Sequence, residues 1–541
     1  MKNDPLICIM STAIIALAVV GLNVPNVYAA LPNKTLIYCS EGSPTGFDPS
    51  QATLITDYTT SAYTIYNRLV EFERGTTKIV PGLAMHWDIS PDALNYTFYL
   101  RRNVRFHTTS YFKPTRGFNA DDVLFTFERM RNPEHIFNKA YPVQFPYFVN
   151  LGLDKEIFKI EKIDPYTVRF TLRSANAPFL MNVGLAFSSI LSAEYADLLL
   201  KDGRAEYINW QPVGTGPYIF HSYNRDTTVR FDGNPYYWEL ANVKVSKLNF
   251  IITPDPAVRI QKLKKNECHI ASYPRLDDLD LIRADPNLKL LSQPGLNLSF
   301  LAYNVLHKPL DNTLVRRALD MAVNKEAVIN TVFDGHAQVA TEPAPPALWP
   351  YKEELQNVQH DSRLREAKKL LAQAGYPKGF SISLWAMSIQ RPYNPNAKLM
   401  AAMIQEDWKK IGVKTRIVSH EWGEYIKRVH AGEHDALLIG WIGSSDMDDW
   451  LGTLLTCNAI TGVNYPKWCH PDFDALVSTA RQTIDFDKRM MLYQEARKIF
   501  KRELPFTPIA HAVIYQPINK KVTDFKVNPL SPILFKGVGL E

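Results

Sequence analysis

After Val20 the chain has no apolar run near the roughly 18 residues that a membrane-spanning helix needs, so nothing beyond the amino terminus is expected to cross a bilayer. It also lacks any cluster of lysine and arginine. The 61 basic and 55 acidic residues leave a net charge of +6 over 541 residues, too weak and too scattered for a nucleic-acid arm. Cysteine is scarce, five in all, and the 13 histidines are dispersed, with no CxxC pair or histidine spacing that suggests zinc. Catalytic signatures are missing too. Gly42-Ser43-Pro44 lacks the frame of a nucleophile elbow, and His420-Glu421 has no second histidine at metal-binding spacing. Pro212–Pro217 is too short for a phosphate loop. These absences argue against an enzyme, a secreted peptide hydrolase included, and no cofactor or metal is expected.

What is present begins with a leader. Lys2 supplies a weak positive start, Leu6 to Val20 is nearly all apolar, and Val27-Tyr28-Ala29 offers a cleavage point near Ala29 or Ala30. Residues 1–30 therefore read as a secretory signal peptide rather than an anchor, so the mature chain is expected to be exported. Cys8 lies inside the apolar core and not at its end, so lipid attachment is not expected. The mature chain of 541 − 30 = 511 residues has length for about three domains, and its 46% apolar content suffices for a full core.

The four remaining cysteines suggest two disulfides in an exported chain, with three connectivities open. Cys457 and Cys469 are close in sequence and favour a local loop. That leaves Cys39 with Cys268, which would staple the first strand to a distant segment and build one domain from separated pieces.

Several elements can be read from pattern. Lys34 to Cys39 is strand-like and is followed by the Gly/Pro loop Glu41 to Asp48. Ala62 to Phe72 reads as helical. Asn119 caps a helix from Ala120 to Met130, with Asp121 and Asp122 in its first turn, where the helix dipole favours acids. Gly295 to Val305 is a long β-type run. Thr313 to Phe333 carries a 3.6-residue apolar period. From there helices and strands alternate: strands at Phe380–Met387, Val413–Val418 and Ala436–Trp441, helices at Asp361–Ala374, Asn396–Ile411 and Glu421–His430. This alternation points to an α/β domain with a partly parallel sheet. The tail from Thr507 to Leu540 reads as short strands returning to the first domain.

One stretch concentrates binding chemistry. In Asp435 to Cys469 a buried strand runs into Gly440-Trp441 and then turns acidic through Ser444, Asp446, Asp448 and Asp449, as at the mouth of an α/β cleft. Aromatic residues form 12% of the chain, enough to line such a cleft. Arg391 follows an apolar strand in a loop stiffened by Pro392 and Pro395, a setting suited to bidentate capture of a carboxylate.

The resemblance is carried by many segments. They include KTLIYCSEGSPTGFDP, YNRLVEF, FKPTRGFNADDV, PVGTGPY, FIITPDPAVR, KLKKNEC, QPGLNLSFLAYNV, KPLDNTLVRRAL, HEWGEYIKR, NYPKWC and the long run from Phe380 to Trp408. Together they span essentially the whole mature chain, which resembles the extracellular solute-binding proteins, family 5, of ABC transporters, and most of all their dipeptide-binding branch.

The resemblance implies an α/β, two-lobed periplasmic-binding-protein fold of the class with an extra subdomain, closing about a hinge over its ligand. Lobe I would comprise residues 31–60, 216–290 and 507–541, the extra subdomain 61–215, and lobe II 291–506. It implies the pairings Cys39–Cys268 and Cys457–Cys469, a monomer, a short-peptide ligand and an inner-membrane permease as partner. Arg391 matches the arginine that pairs with the ligand carboxylate.

The amine-binding aspartate is where this chain departs. The family pattern reads like GWTGDNGDPDNF, whereas this chain reads GWIGSSDMDDW, one residue shorter. Matched from the Gly-Trp pair, that aspartate falls on Ser444; moving the gap brings Asp446 nearer the role. Trp441, Tyr303 and the loop of Glu41, Gly42 and Ser43 complete the expected cleft. The altered loop leaves haem, glutathione or a cell-wall peptide as alternative cargo.

Overall fold

The computed structural model describes residues 31–348, 359–530 and 532–541; the leader expected over residues 1–30 lies outside the described residues. The backbone is organised by one 12-stranded sheet that serves two lobes. In the first lobe the strand Thr35–Ser40 runs parallel to Lys247–Ile252 on one side and to Ile270–Ala271 on the other. Thr228–Gly233 and Tyr218–Asn224 extend it antiparallel. In the second lobe Ser381–Trp385 lies parallel to both Lys414–Val418 and Ala436–Ile442, and Ala436–Ile442 pairs antiparallel with Asn297–Tyr303. The partly parallel α/β lobe read from the helix–strand alternation is therefore present. An extra subdomain adds a four-stranded antiparallel sheet in the order Ala84–Ile89, Asn95–Leu100, Thr167–Leu172, Ile157–Asp164.

The lobes share a single long strand, Phe506–Asn519. Its first residues pair with Asn297–Tyr303 in the second lobe, and its later ones with Leu288–Pro294 in the first, from Pro294↔Val513 to Leu288↔Asn519. Among the described residues the chain thus passes between lobes only near Pro294–Asn297 and near Ala510–Val513. Asn297 binds these crossings together. Its buried side-chain amide donates to the Ala512 carbonyl at 2.9 Å and accepts from the Ala512 N–H at 2.8 Å, while its own carbonyl lies 2.7 Å from His511 Nδ1. Gly295 is required beside it, since a Cβ there would sit 2.1 Å from Asn297 Nδ2.

Local chemistry explains the elements that were foreseen. Asn119 accepts from the Asp121 N–H, and the Asp122 carboxylate accepts from the Asn119 N–H, a capping box that starts Ala120–Arg131. The apolar period over 313–333 is realised as two helices, Thr313–Ala322 and Lys325–Val332, because Asn324 caps the second. Two expectations are corrected. Residues 62–72 do not form a helix. Ile65 gives its carbonyl to the Gly216 N–H at 2.8 Å, and the chain there ends in the strand Val70–Phe72. The tail is chiefly one 14-residue strand, followed by two short pairs of residues. The disulfides Cys39–Cys268 and Cys457–Cys469 are present, with Cα–Cα separations of 5.8 and 4.6 Å.

Asn297→Ala should lower stability by on the order of 2–3 kcal/mol, because the Ala512 N–H then loses its buried acceptor. Urea unfolding of the variant against the parent reads this directly, and an unchanged midpoint would show that the crossing holds without the amide.

Candidate ligand-binding cleft

Ser381–Trp385 and Ala436–Ile442 are adjacent and parallel, so their carboxyl ends open on the same edge of the sheet. Ligands of α/β folds bind at such an edge. The first strand leads to Arg391, the second to the Ser444–Asp449 turn. Arg391 is held by a tight turn, its N–H donating to the Asn394 carbonyl and the Asn394 N–H returning to Arg391, each at 3.0 Å. Its half-buried guanidinium lies 4.8 Å above the Trp422 ring and makes no ion pair among the described residues. The next tyrosine, Tyr393, ties the two loops together. Its ring packs on Gly440, where a Cβ would come within 2.2 Å of it and 2.4 Å of the Leu298 carbonyl.

The acidic turn distributes its carboxylates in three directions. Asp446 caps the helix Met447–Leu455 by accepting from the Asp448 N–H at 2.8 Å, and it is ion-paired with Arg489. Asp448, 4% exposed, pairs with Arg481, whose Nε lies 3.0 Å from Oδ2. Asp449 alone turns to Trp441, whose indole N–H donates to Oδ1 at 3.3 Å, while the Ser444 N–H donates to Oδ2 at 2.5 Å. Asp449 makes no ion pair among the described residues. Burial, with a smaller push from the Asp448 charge, raises its carboxyl to about 6 despite both hydrogen bonds. Around it stand Tyr147 of the extra subdomain, 6.3 Å from the Trp441 ring by centroids, and the buried Tyr393 and Tyr465. Burial and the Asp449 charge push the Tyr147 hydroxyl above its ordinary range.

The first lobe contributes Glu41, which accepts from Tyr38 at 3.3 Å and from Thr56. Tyr273 senses both sides: burial and Glu41 raise its hydroxyl, and Arg391 from the other lobe opposes them. Gly42 is open around its Cα, and its carbonyl accepts from Ser40 at 3.0 Å. Ser43 donates to Asp226 Oδ1 at 2.7 Å and so serves a turn between strands.

Of the residues singled out in sequence, Arg391, Trp441 and Glu41 lie around this cleft. Three expectations are corrected. Tyr303 is fully buried in the second lobe, with its hydroxyl 2.6 Å from Thr507 Oγ1, because its strand is central in the sheet. Asp446 is neutralised by Arg489. Ser444 is buried, and its hydroxyl accepts from the Asp446 N–H at 3.2 Å, so it shapes the turn. The acid of the turn that makes no ion pair among the described residues is Asp449, which accepts from Trp441 and Ser444. Counting the family pattern back from its final aromatic, here Trp450, sets Asp449 opposite the pattern's asparagine, so neither way of matching the pattern marks Asp449 as the amine-binding position.

A two-lobed sheet with a shared strand, an extra subdomain and a charged edge cleft defines a solute-binding protein of periplasmic-binding type. The family model described as bacterial extracellular solute-binding proteins, family 5 Middle, matches residues 78–462. The chain is 54% identical over 505 residues to di/tripeptide-binding protein 1 of Pseudomonas aeruginosa, covering 93% of this chain and 94% of that protein. It is 40% identical over 510 residues to heme-binding protein A of Haemophilus influenzae, covering 94% of this chain and 93% of that one. A crystal structure of the dipeptide binding protein from Pseudoalteromonas sp. SM9913 in complex with Met-Leu matches with a TM-score of 0.87 at 36% identity, over 94% of this chain and all of that one. The chain belongs to family 5 of the bacterial extracellular solute-binding proteins.

Gly440→Ala should destabilise by about 1–3 kcal/mol through overpacking against Tyr393 and the Leu298 carbonyl. Denaturant unfolding measures the loss; a variant as stable as the parent would show that the two loops are not in the contact described.

Proposed function

We propose that the chain is the periplasmic substrate-binding component of an ABC importer, that it captures dipeptides or similar short peptides, and that it delivers them to an inner-membrane permease without chemical turnover. The observation that carries the reading is the pair Arg391 and Asp449. They have opposite charge and stand at neighbouring strand ends, and neither has an ion-pair partner among the described residues. A peptide zwitterion withdrawn from water needs a partner at each end, since an unpaired buried charge costs several kcal/mol. Arg391 meets the carboxylate in a bidentate geometry. Asp449 meets the ammonium, and Trp441, Tyr147 and Tyr393 wall the space between polar ends. Glu41 and Tyr273 face Arg391 from the first lobe. The similarity to di/tripeptide-binding protein 1 supports the same ligand class.

Protonation gives the reading a sign. Burial raises the Asp449 carboxyl to about 6, and a bound ammonium lowers that value by favouring the charged form. Binding below about pH 6 must therefore expel a proton, and affinity for a free amine falls as pH falls through that window.

Calorimetry with a dipeptide panel tests the proposal. Arg391→Ala and Asp449→Asn should each weaken binding by on the order of a hundredfold, about 3 kcal/mol. Asp449→Asn should also remove most of the pH dependence below pH 7, and an N-acetylated dipeptide should lose affinity for the parent but not for Asp449→Asn. A folded parent protein that binds no dipeptide rejects the assignment. The similarity to heme-binding protein A makes haem the second reading, and a Soret shift on titration with haemin, in place of dipeptide heat, would favour it.

A further inference from the structure

Apart from the two backbone crossings beside Asn297, whatever joins the second lobe to the extra subdomain is non-covalent. One residue dominates those contacts. Arg481 stands at the end of the helix Pro471–Gln482 in the second lobe. Its Nε is shared between the Asp448 oxygens at 3.1 and 3.0 Å, and its Nη1 lies 3.7 Å from Glu156 Oε1 of the subdomain. Its backbone carbonyl accepts from the subdomain's Ala177 N–H at 2.8 Å. Asn176, the residue before Ala177, donates its side-chain amide to the other Glu156 oxygen. Gly452, one turn along the helix from Asp448, leaves room for the guanidinium: a Cβ there would lie 2.7 Å from Arg481 Nη2. Nearby, Ser445 Oγ lies 3.4 Å from Met181 Sδ, again across the same gap.

Asp448 and Asp449 are consecutive residues in the first turn of one helix. The turn that presents Asp449 to the cleft is therefore the turn that Arg481 fastens to the subdomain. We infer that Arg481 is a positioning residue that couples lobe closure to ligand retention: by bridging Asp448 and Glu156 it holds the amine-anchoring turn against the extra subdomain and sets the residence time of a bound peptide. The inference rests on the reading of Asp449 as the amine anchor. The bridge forms only when the lobes are together, so it acts after encounter. Its loss should speed departure and leave arrival alone. The pair is partly exposed, at 24% for Arg481 and 17% for Glu156, so its effect on overall stability is small.

Stopped-flow binding of a dipeptide to the full chain tests this, with Arg481→Met, Arg481→Lys and Glu156→Gln. Arg481→Met should raise the dissociation rate about tenfold or more with the association rate changed less than about twofold, as closure-stage effects do. Arg481→Lys should restore part of the loss, because an ammonium can meet one carboxylate but not bridge two. Glu156→Gln and Arg481→Met should combine less than additively. Unchanged dissociation in Arg481→Met, with the parent binding normally, overturns the inference. If the parent binds no dipeptide, the functional reading has failed instead. The bridge is then judged by hydrogen exchange at Ala177: faster exchange in Arg481→Met supports it and identical exchange overturns it.

Discussion

The molecule depends on a single amide. Asn297 exchanges two hydrogen bonds with the backbone of Ala512 at the place where both chain crossings lie side by side. The strand Phe506–Asn519 belongs to one lobe below that point and to the other above it. A sheet shared in this way transmits the twist of one lobe to the other, so the lobes cannot slide freely. They can rotate about the short segments beside Asn297, because there the ladder partners change. A buried amide suits such a place better than an apolar side chain. It satisfies backbone groups that the change of partner would otherwise leave unpaired, and it keeps the two crossings in register.

The two loops proposed to meet a ligand hang from this frame at one edge. Two parallel strands deliver Arg391 and the acidic turn to the same side of the sheet, and Tyr393 packed on Gly440 fixes the spacing between them. The acidic turn then separates three duties over four residues. Asp446 holds its own lobe through Arg489, Asp448 reaches the extra subdomain through Arg481, and Asp449 accepts from Trp441 without an ion pair among the described residues. A cluster of acids in sequence suggests one strongly negative patch. In the fold two of the three are neutralised by arginines, and only the third has charge to offer.

How much of this was legible beforehand follows from how local each signal is. The helix at Ala120–Arg131 was readable because Asn119, Asp121 and Asp122 specify its start by themselves. The apolar run Ala436–Ile439 ending in Gly440-Trp441 announced a buried strand with a functional end. Residues 62–72 misled because their shape is imposed from outside, by Gly214 and Gly216 pressing on Ile65. The long strand at 506–519 was hidden by Pro508 and Pro517, which read as breaks. Pro508 sits opposite a bulge at Ser299/Phe300, where the ladder is already interrupted. Arg391 was singled out by its Pro-stiffened loop, and the structure sets it in a tight turn with Asn394. Asp449 was not, because matching from the Gly-Trp pair leads to Ser444 and matching from the final aromatic sets Asp449 opposite an asparagine.

Asp449 is also where competing forces can be ranked. It occupies the first turn of a helix, where the dipole favours an anion, and it accepts hydrogen bonds from Ser444 and Trp441, which favour the anion further. Yet burial, helped by the neighbouring Asp448 charge, raises its carboxyl to about 6, so desolvation outweighs the hydrogen bonds. Burial therefore holds this carboxylate at a disadvantage that a nearby cation would remove. A neutral side chain at 449 would avoid the penalty but would have nothing to gain on binding. Within this turn Asp446 and Asp448 are held in ion pairs with Arg489 and Arg481, and Asp449 has none among the described residues, which is what sets it apart as the acid a ligand cation could meet.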